Sequence, residues 1–522
     1  MIGVDVGSIH VKAVLVAPGS GVVYVARRAT STHTVRGGGA YHRPEELLGA
    51  VESAIAECVA ASGSAATPCA IGIASMAEAG VPLDARGRPV GEIAAWFDPR
   101  PAVQAAWLER RVGAPALFAR TGLRPEAKYT LPKLLWLREE RPREFARLRR
   151  WAGVAELVAY ELTDELATNA SLACRTAAFS VVDRRWDAEL LSLAGLEVEQ
   201  MPTVLPLGRP VGGLTAAAAA RLGLPAGTPV AIAGQDHVAG ALGAGVTRPG
   251  GVLDSMGSAE VALMVTRQPT LADELRQSGF SSGCHALDDA WYVAGGLQAS
   301  GALVEWFIDR FVLTSAAPAA APSRDRAATA GSAAATAGSA DVAPPEPDRY
   351  AAFLALLDRA GPDPAMPLVR PYLRGRTAPR RDPSAALAVD GLLESHGLPE
   401  LAAAVVDGAA FHVRWMLEEL ERLAATAPTR VRVVGGGVRN RRWLTAKAAL
   451  GPGRFEVART DEAAALGAAL VAGVAGDVYG SVAAALADAA PSARVTVAPE
   501  IRARYDVAYR ERWLPAILAT PR

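Results

Sequence analysis

The first hydrophobic pattern of the chain predicts a hairpin, and a later stretch repeats it. Apolar residues alternate over 2–6, Gly7 and Ser8 favour a tight turn, and the apolar run 11–16 predicts a returning strand. The order of strand, aspartate, Gly-Ser turn and strand recurs over 251–265. Because the copies stand about half a chain apart, we expect one such hairpin in each of two domains.

Helix and strand patterns alternate along the rest of the chain, which is typical of an α/β fold. Apolar positions at helical spacing predict helices over 43–61, 156–165, 215–222 and 401–425. Short apolar runs predict buried strands over 70–74, 229–233 and 430–434, the last two of which end at glycines.

Length and composition favour two large domains. A chain of 522 residues exceeds the size of one ordinary core, and 51% hydrophobic with 21% charged residues is a globular balance. Residues 314–347 differ, since Ala, Pro, Ser, Thr and Gly dominate there and large apolar residues are scarce. We expect this segment to be a mobile surface insertion.

Charge and targeting signals exclude several classes of function. The net charge is +0, which argues against nucleic acid or an anionic membrane as the main partner. The sequence contains no apolar run of about 18 residues and no signal-peptide pattern, so a cytoplasmic protein is expected. The cysteines form neither a CxxC pair nor a zinc-site spacing, and we expect all of them to be reduced and buried: Cys58, Cys69, Cys174 and Cys284.

The two predicted hairpins suit phosphate binding. A Gly-Ser turn presents backbone N–H groups and a hydroxyl to phosphate oxygens, and Asp5 at a strand end can hold Mg²⁺. Lys12 either adds positive charge or simply lies on the strand. An ordinary hairpin is the alternative, but the second turn at Gly257 and Ser258 favours the phosphate interpretation.

Two further strand ends carry candidate chemistry. The strand 229–233 leads to Asp236 and His237 at the start of a small-residue helix, where α/β proteins place active groups. A carboxylate here can take a proton from an attacking hydroxyl, although a helix N-cap explains Asp236 equally well. The glycines 435–437 permit close approach of the backbone to a nucleotide base, with a plain glycine turn as the alternative. They match neither GxGxxG nor GK[ST].

The ordered set of motifs resembles the FGGY carbohydrate kinase family, which includes xylulose, glycerol, gluconate and ribulose kinases. The likeness covers most of the chain apart from 314–347 and the last few tens of residues. The motifs, in family order, are DVGSIHVK at 5–12, AAWFDPR at 94–100, GQDHVAGALGAG at 234–245, SMGSAE at 255–260, GGLQASGALVEWF at 295–307, PYLRGRTAPRRDP at 371–383, VVDGAAFHVRWMLEEL at 405–420, GGGVRNRRWL at 435–444 and DEAAALGAALVA at 461–472.

The resemblance implies an α/β fold of two actin-like (ribonuclease H-like) domains around a central cleft that closes on the substrate. Residues 1–246 would bind the sugar and supply the catalytic base, and residues 247–490 would bind the nucleotide. Residues 491–522 would form a C-terminal extension. The implied cofactors are ATP and Mg²⁺, the implied partner is a small-molecule sugar or polyol, and a homodimer is the candidate assembly.

The resemblance also assigns roles by position. Asp236 would be the base that deprotonates the substrate hydroxyl, and Asp5 would help to hold Mg²⁺. The residues expected around the nucleotide are Ser8, Lys12, Gly257, Ser258, Gly301, Gly436, Gly437 and Asn440. The residues expected around the sugar are Met76, Glu78, Trp96, Asp98, Arg100 and His237.

The expected sugar pocket departs from the common family patterns. Many relatives have Gly-Gln-Met-His-Gly or Asn-Gln-Arg-Glu-Thr where this chain has Ser-Met-Ala-Glu-Ala at 75–79. Glu78 falls where those relatives place a substrate-contacting His or Glu, and Ala77 replaces the Arg of the glycerol pattern, which argues against glycerol. His237 replaces a common Asn or Gln. A structural salt bridge or capping pair is the alternative for Glu78 and His237.

The sequence therefore predicts an ATP-dependent kinase of a sugar or polyol, with a ketopentose such as xylulose or ribulose as the first substrate hypothesis. A linear polyol or a sugar acid is the alternative substrate. Two hypotheses from other classes are a non-catalytic actin-like sugar sensor that binds ATP and an actin-like chaperone or cell-shape ATPase.

Overall fold

Two twisted sheets form the frame of the protein, one in each half of the chain. The computed structural model describes residues 1–63, 67–312, 349–361 and 366–519. The insertion predicted at 314–347 lies outside the described residues.

The N-terminal half alternates strands with helices, as the sequence predicts. Its strands are β1 (Ile2–Val6), β2 (His10–Ala17), β3 (Gly21–Ala29), β4 (His33–Thr34), β5 (Ala40–His42), β6 (Ile71–Ser75), β7 (Gly80–Leu83), β8 (Ile93–Ala94), β9 (Arg150–Gly153), β10 (Ala167–Thr168), β11 (Phe179–Ser180), β12 (Arg185–Trp186), β13 (Thr203–Val204), β14 (Pro210–Gly213) and β15 (Pro229–Gln235). Its helices are α1 (Pro44–Ser62), α2 (Ala102–Val112), α3 (Ala114–Thr121), α4 (Thr130–Glu140), α5 (Pro142–Phe145), α6 (Val154–Thr163), α7 (Ala170–Ala173), α8 (Ala188–Leu193), α9 (Ala216–Leu222) and α10 (Asp236–Gly243).

The C-terminal half has its own sheet and helices. Its strands are β16 (Gly251–Met256), β17 (Glu260–Thr266), β18 (Ser281–Cys284), β19 (Trp291–Leu297), β20 (Leu368–Arg370), β21 (Ala388–Asp390), β22 (Arg430–Val434), β23 (Arg454–Ala458) and β24 (Ser492–Arg494). Its helices are α11 (Asp273–Gln277), α12 (Gly301–Phe307), α13 (Arg349–Arg359), α14 (Leu398–Ala424), α15 (Arg441–Leu450), α16 (Ala463–Ala475), α17 (Val482–Ala487), α18 (Pro499–Val507) and α19 (Leu514–Leu518).

The two large sheets share one strand arrangement. In the first sheet, of order β14-β15-β6-β1-β2-β3, strand β1 pairs antiparallel with β2 and parallel with β6. In the second sheet, of order β18-β19-β17-β16-β22-β23-β24, strand β16 pairs antiparallel with β17 and parallel with β22. Each sheet therefore begins with a hairpin, which confirms the duplication that the sequence predicts. The repeated order is the one expected of two actin-like (ribonuclease H-like) domains.

Most predicted elements have the expected type and nearly the expected bounds. The helix predicted over 43–61 is α1, and the helix predicted over 401–425 is α14. The strand predicted over 229–233 continues to Gln235, so Gly234 lies inside β15 and not after it.

The expectation that every cysteine is buried is wrong at one position. Cys58, Cys174 and Cys284 are buried, but Cys69 is exposed. The physical reason is its place in the chain, because it lies in the connection that precedes β6 and is not yet inside the sheet. The buried cysteines belong instead to hydrophobic clusters of the core.

The two halves meet where α16 of the C-terminal half lies against both α10 and the first sheet. Glycines make this contact possible, because a Cβ atom on Gly467 would lie 1.9 Å from the carbonyl oxygen of Ala239 in α10. A Cβ atom on Gly3 of β1 would lie 1.9 Å from the carbonyl oxygen of Ala465 in α16. Distances this short are forbidden by steric overlap, so the backbones approach more closely here than any side chain permits.

We expect Gly467→Ala to destabilise the protein, because the added methyl group must displace backbone atoms of α10. Overpacking of this kind costs up to about 3 kcal/mol of unfolding free energy. The matched control is Gly49→Ala in the middle of α1, where the added Cβ atom meets nothing within 4 Å. The control should leave stability unchanged or raise it by up to about 1 kcal/mol, since alanine favours a helix.

Urea unfolding followed by circular dichroism measures both variants against the parent protein. Equal stability of Gly467→Ala and Gly49→Ala would contradict the close contact between α10 and α16.

Candidate active site

The first hairpin places an unpaired carboxylate at the cleft. Asp5 lies near the end of β1, directly opposite Lys12 on β2. Its Oδ1 atom is buried and has no hydrogen-bond partner among the described residues. Burial, helped by the nearby Asp236 carboxylate, raises the pKa of Asp5 to about 7. A buried carboxylate in this state is a favourable site for a cation, because a positive charge would satisfy the oxygen and restore ionisation.

Asp236 begins the helix that follows β15. Its Oδ1 atom accepts a hydrogen bond from the backbone N–H of His237 at 2.7 Å and lies 2.8 Å from the ring Nδ1 of the same histidine. Gln235 occupies the N-cap position, so the N-cap interpretation of Asp236 is wrong: its carboxylate bonds to the neighbouring residue and does not cap the helix.

The Asp236–His237 pair sets the ionisation of both groups. Burial alone would raise the pKa of Asp236, but the charge and hydrogen bonds of His237 outweigh burial and lower that pKa. Burial alone would lower the pKa of His237, but the Asp236 carboxylate outweighs it and raises that pKa. The pair therefore favours the ionised form of the aspartate and the protonated form of the histidine.

A cleft of about 420 Å³ brings these groups together with the nucleotide-side loops. The N-terminal half lines it with Asp5, His10, Lys12, Arg27, Asp236, His237 and Gly240. The C-terminal half lines it with Leu253, Ser255, Gly257, Val434, Gly435, Gly436, Arg439 and residues 461–464. The predicted metal ligand, the predicted base and parts of both predicted phosphate hairpins thus share one cavity.

An ion pair ties the two walls of this cleft. Lys12 Nζ lies 2.7 Å from Glu462 Oε2, and Arg27 also pairs with Glu462. The Glu462 side chain is only 4% exposed, whereas Lys12 is partly exposed and Arg27 is exposed, so the contact between β2, β3 and the start of α16 buries the carboxylate but leaves the cations open to water. Lys12 borders the cleft, and its charge is shared with Glu462.

The second hairpin separates the cleft from a neighbouring cavity of about 680 Å³. Gly257 borders the cleft, while Ser258 borders the second cavity together with Ile9, Glu305 and Trp306. The predicted nucleotide residue Gly301 lies directly against this hairpin, since its N–H donates to the Gly257 carbonyl at 3.1 Å. The first hairpin borders both cavities in the same way, with Ile9 on one side and His10 on the other.

The glycine-rich loop after β22 lies across the cleft from Asp236. Gly435 has φ +95, and a Cβ atom there would lie 2.6 Å from the Met256 carbonyl oxygen, so glycine is required. Gly437 packs on the Met256 side chain. Asn440 is fully buried, and its Oδ1 accepts the Trp443 N–H at 3.0 Å as the cap of α15. Sequence reasoning missed this capping role.

The predicted sugar residue Glu78 makes an ion pair that the sequence did not predict. Its Oε1 atom accepts hydrogen bonds from Arg175 Nε at 2.8 Å and Arg175 Nη2 at 2.6 Å. The guanidinium also lies over the Tyr129 ring, 5.3 Å from its centroid. Arg175 is close enough to Asp236 and His237 to influence the pKa of each. The salt-bridge alternative for Glu78 is thus correct in part, but its partner is Arg175 and not His237.

A buried lysine connects the two segments of the predicted sugar pocket. Lys133 Nζ donates to the Glu78 carbonyl oxygen at 2.7 Å, and the charges of Asp98 and Arg100 also act on it. Burial lowers the pKa of Lys133 to about 7. Lys133 was not predicted, but one signal marked it, since it is one of only four lysines in an arginine-rich chain.

The remaining predicted sugar residues lie in or near the same region with different exposure. Asp98 is buried and accepts a hydrogen bond from Arg100 Nε at 2.8 Å, and Arg100 lies 4.5 Å from the Trp136 ring centroid. Met76 is buried just after β6. Trp96 is 38% exposed and available for contact with a ligand.

Comparison with known proteins decides the family. Residues 1–243 match the N-terminal domain of the FGGY family of carbohydrate kinases, and residues 253–476 match its C-terminal domain. The chain belongs to the FGGY family of carbohydrate kinases. It is therefore a carbohydrate kinase, and members of this family use ATP as the phosphate donor.

Individual FGGY relatives carry different substrate names. The chain is 26% identical to the xylulose kinase of Escherichia coli over 91% of this chain and 90% of the relative. It is 22% identical to the gluconokinase of Bacillus subtilis over 90% of this chain and 86% of the relative. The crystal structure of xylulose kinase from Rhodospirillum rubrum superimposes with TM-score 0.84, 25% identity and coverage of 99% and 98%. The expected pair of actin-like domains is confirmed.

Some expectations stay predictions for this FGGY kinase. They include the domain boundaries at residues 246 and 490, the homodimer, the cytoplasmic location and the role of each site residue. Within the described part of the chain, every helix is too short or too polar to cross a membrane. In the same residues no group of three or more His, Cys, Asp or Glu side chains could hold a metal ion by itself.

Proposed function

We propose that this FGGY kinase transfers the γ-phosphoryl group of ATP to a terminal hydroxyl of a ketopentose such as xylulose or ribulose. The observation that carries the proposal is Asp236, a carboxylate with a lowered pKa that lines the cleft. The hairpins that suit phosphate lie on one side of it, and the Glu78–Arg175 pair lies close to it. Names of xylulose kinases among the relatives support the substrate class.

Asp236 acts as the general base in this proposal. The substrate hydroxyl donates a hydrogen bond to the carboxylate, which takes the proton as the oxygen attacks the γ-phosphorus and the bond to ADP breaks. His237 supports this role in two ways. It orients the carboxylate through two contacts at Oδ1, and it keeps the aspartate ionised before the reaction begins.

Asp5 is the residue proposed to hold Mg²⁺. Its buried, unpartnered oxygen fits a hard cation, and Mg²⁺ in kinases is held by one or two carboxylates plus the phosphates of the nucleotide. A site of this kind needs no larger cluster of protein ligands. When bound, the ion would neutralise charge on the transferred phosphoryl group.

Glu78 is proposed to bind a substrate hydroxyl. Both hydrogen bonds from Arg175 go to Oε1, so Oε2 is left to accept from a sugar. The left-handed backbone at Glu78, with φ +66, is uncommon for glutamate and is frequent at functional sites. Asp98, Arg100 and Trp96 would border the same sugar.

A sugar acid is the second candidate substrate. Cationic groups of the described residues lie around the proposed pocket, among them Arg100, Lys133 and Arg175. Arg100 is already paired with Asp98, and Arg175 is already paired with Glu78. Burial lowers the pKa of Lys133 to about 7. The gluconokinase among the relatives agrees with this alternative.

Release of ADP from the purified protein, measured across ketoses, aldoses, polyols and sugar acids, tests the proposed function. We expect a ketopentose to give the largest stimulation of ATP turnover. In Asp236→Asn, nucleotide should still bind while turnover falls by about 10²–10⁴-fold, because the base is lost. The control is Asp358→Asn at an exposed position of α13, which should keep full activity.

A flat response across the whole panel would contradict the proposal, and ATP turnover that no sugar stimulates would favour a different actin-like ATPase. Near-normal turnover in Asp236→Asn would mean that another group is the base.

We expect His237→Asn to move the acid limb of the kcat/KM profile to higher pH. His237 lowers the pKa of Asp236, so its removal raises that pKa, and a base must be deprotonated to act. Arg175, Glu78 and Asp5 also surround this pair and remain in the variant. The control is His33→Asn, which removes a surface imidazole paired with Glu46. An unmoved limb, or one that moves to lower pH, would contradict the role of His237.

We expect Glu78→Gln to raise the KM for the sugar about tenfold while the KM for ATP stays the same, because a hydrogen bond to a charged group is lost. The control is Glu57→Gln, a carboxylate that also pairs with an arginine, Arg28, but lies away from the cleft. Steady-state kinetics with each substrate varied in turn measures both constants. A rise in the KM for ATP without a rise in the KM for the sugar would place Glu78 outside the sugar pocket.

A further inference from the structure

A buried charge cluster lies beneath the second hairpin. Lys447 of α15 forms ion pairs with Asp254 of β16 and Glu260 of β17, and each of these side chains is at most 1% exposed. The two strands are the arms of the hairpin whose turn contains Gly257 and Ser258. None of these three charged groups was singled out by sequence reasoning for a role in chemistry.

Stability alone does not explain a cluster of this kind. Removing charges from water is expensive, and apolar replacements of buried ion pairs are often neutral or stabilising. Burial, helped by the adjacent Asp254, raises the pKa of Glu260, while Asp254 and Glu260 together outweigh burial and raise the pKa of Lys447. The cluster therefore keeps a lysine charged in the core, where its geometry is fixed by its partners.

The cluster extends to the start of α12 through one hydroxyl. Ser300 Oγ donates to Glu260 Oε2 at 2.5 Å. Backbone N–H groups at this helix start then hold the hairpin turn: Ser300 N and Ala302 N each donate to the Ser258 carbonyl at 3.0 Å, and Gly301 N donates to the Gly257 carbonyl at 3.1 Å. A Cβ atom on Gly301 would lie 2.6 Å from the Gly257 carbonyl oxygen, so the start of α12 and the hairpin turn are too close for a side chain at residue 301.

Lys447 also connects this hairpin to the glycine-rich loop. It lies on the helix α15 that this loop precedes, and Asn440 caps that helix. The cluster thus joins three elements that border the cavities: the turn at 257–258, the start of α12 and the helix behind 435–440. The first hairpin is built differently, because Lys12 pairs with Glu462, whereas in the second hairpin Lys447 pairs with Asp254 inside the core.

We propose that Lys447, Glu260 and Ser300 are positioning residues that fix the second hairpin for the phosphates of the nucleotide. They do not touch the nucleotide themselves. Their ion pairs and hydrogen bonds fix the position of the Gly257 and Ser258 backbone, and loss of any one of these contacts weakens the binding of phosphate. The proposal rests on the proposed function only in taking this hairpin as a phosphate site, and its test uses nucleotide binding without a sugar.

The decisive variant is Ser300→Ala, which removes one hydroxyl and leaves the ion pairs in place. We expect the Kd for ADP with Mg²⁺, measured by isothermal titration calorimetry, to rise about tenfold because a hydrogen bond to a buried acidic group is lost. Ser300→Thr keeps the hydroxyl and should restore the affinity to within about twofold. The sugar KM should not change.

The matched control is Ser282→Ala on β18 of the same sheet. Ser282 is also fully buried, and its hydroxyl accepts the Thr270 N–H at 3.2 Å away from the hairpin. Both alanine variants should lower the melting temperature to a similar degree, but only Ser300→Ala should weaken ADP binding. Equal loss of affinity in the two variants would contradict the proposal, because it would indicate a purely structural role for the cluster. Unchanged affinity in Ser300→Ala would also contradict it.

A second variant tests the charged part of the cluster. The triple substitution Lys447→Met, Glu260→Gln and Asp254→Asn replaces the charged groups by neutral groups of similar size and leaves no unpaired buried charge. We expect weaker ADP binding than in Ser300→Ala, and affinity equal to that of the parent protein would overturn the proposal. If the triple variant does not fold, Ser300→Ala with its threonine counterpart still decides. Absence of sugar-stimulated turnover would count against the proposed function and not against this inference.

Discussion

The contact between α10 and α16 is the constraint on which the rest of the site depends. Gly467 lets the backbones of these helices touch, and Gly3 does the same between α16 and β1. The helix α10 begins with Asp236, and α16 is preceded by Glu462, which pairs with Lys12. One close contact therefore fixes the base, the first hairpin and the C-terminal wall of the cleft relative to each other.

The duplicated hairpins share a fold but differ in electrostatics. Asp5 keeps a buried oxygen without a partner in the described chain, and its pKa is raised to about 7. Asp254, at the matching place in the second hairpin, also has one buried oxygen without a partner in the described chain, but its other oxygen pairs with Lys447 inside the core. The same type of hairpin thus presents a carboxylate to the cleft in the N-terminal half, whereas in the C-terminal half the matching carboxylate is paired with the buried Lys447. This asymmetry agrees with a single cation site on the side of the base.

Local patterns predicted most of the fold, because strand alternation, helical spacing and turn glycines act over a few residues. The hairpins, α14 and the strand that leads to Asp236 all follow from such patterns. The pairing of Glu78 with Arg175 did not follow, because these residues are 97 positions apart and only the folded chain brings them together. The exposure of Cys69 was also missed, because no local pattern marks the residue at which the chain enters the buried strand β6.

A structure of the protein with a non-hydrolysable ATP analogue, Mg²⁺ and the sugar that stimulates turnover most would test directly whether Asp236 is the catalytic base. We expect one substrate hydroxyl to lie within about 3.2 Å of the Asp236 carboxylate and to point to the terminal phosphate between the two hairpin turns. A hydroxyl that lies beyond hydrogen-bond reach of Asp236 while facing that phosphate would contradict it.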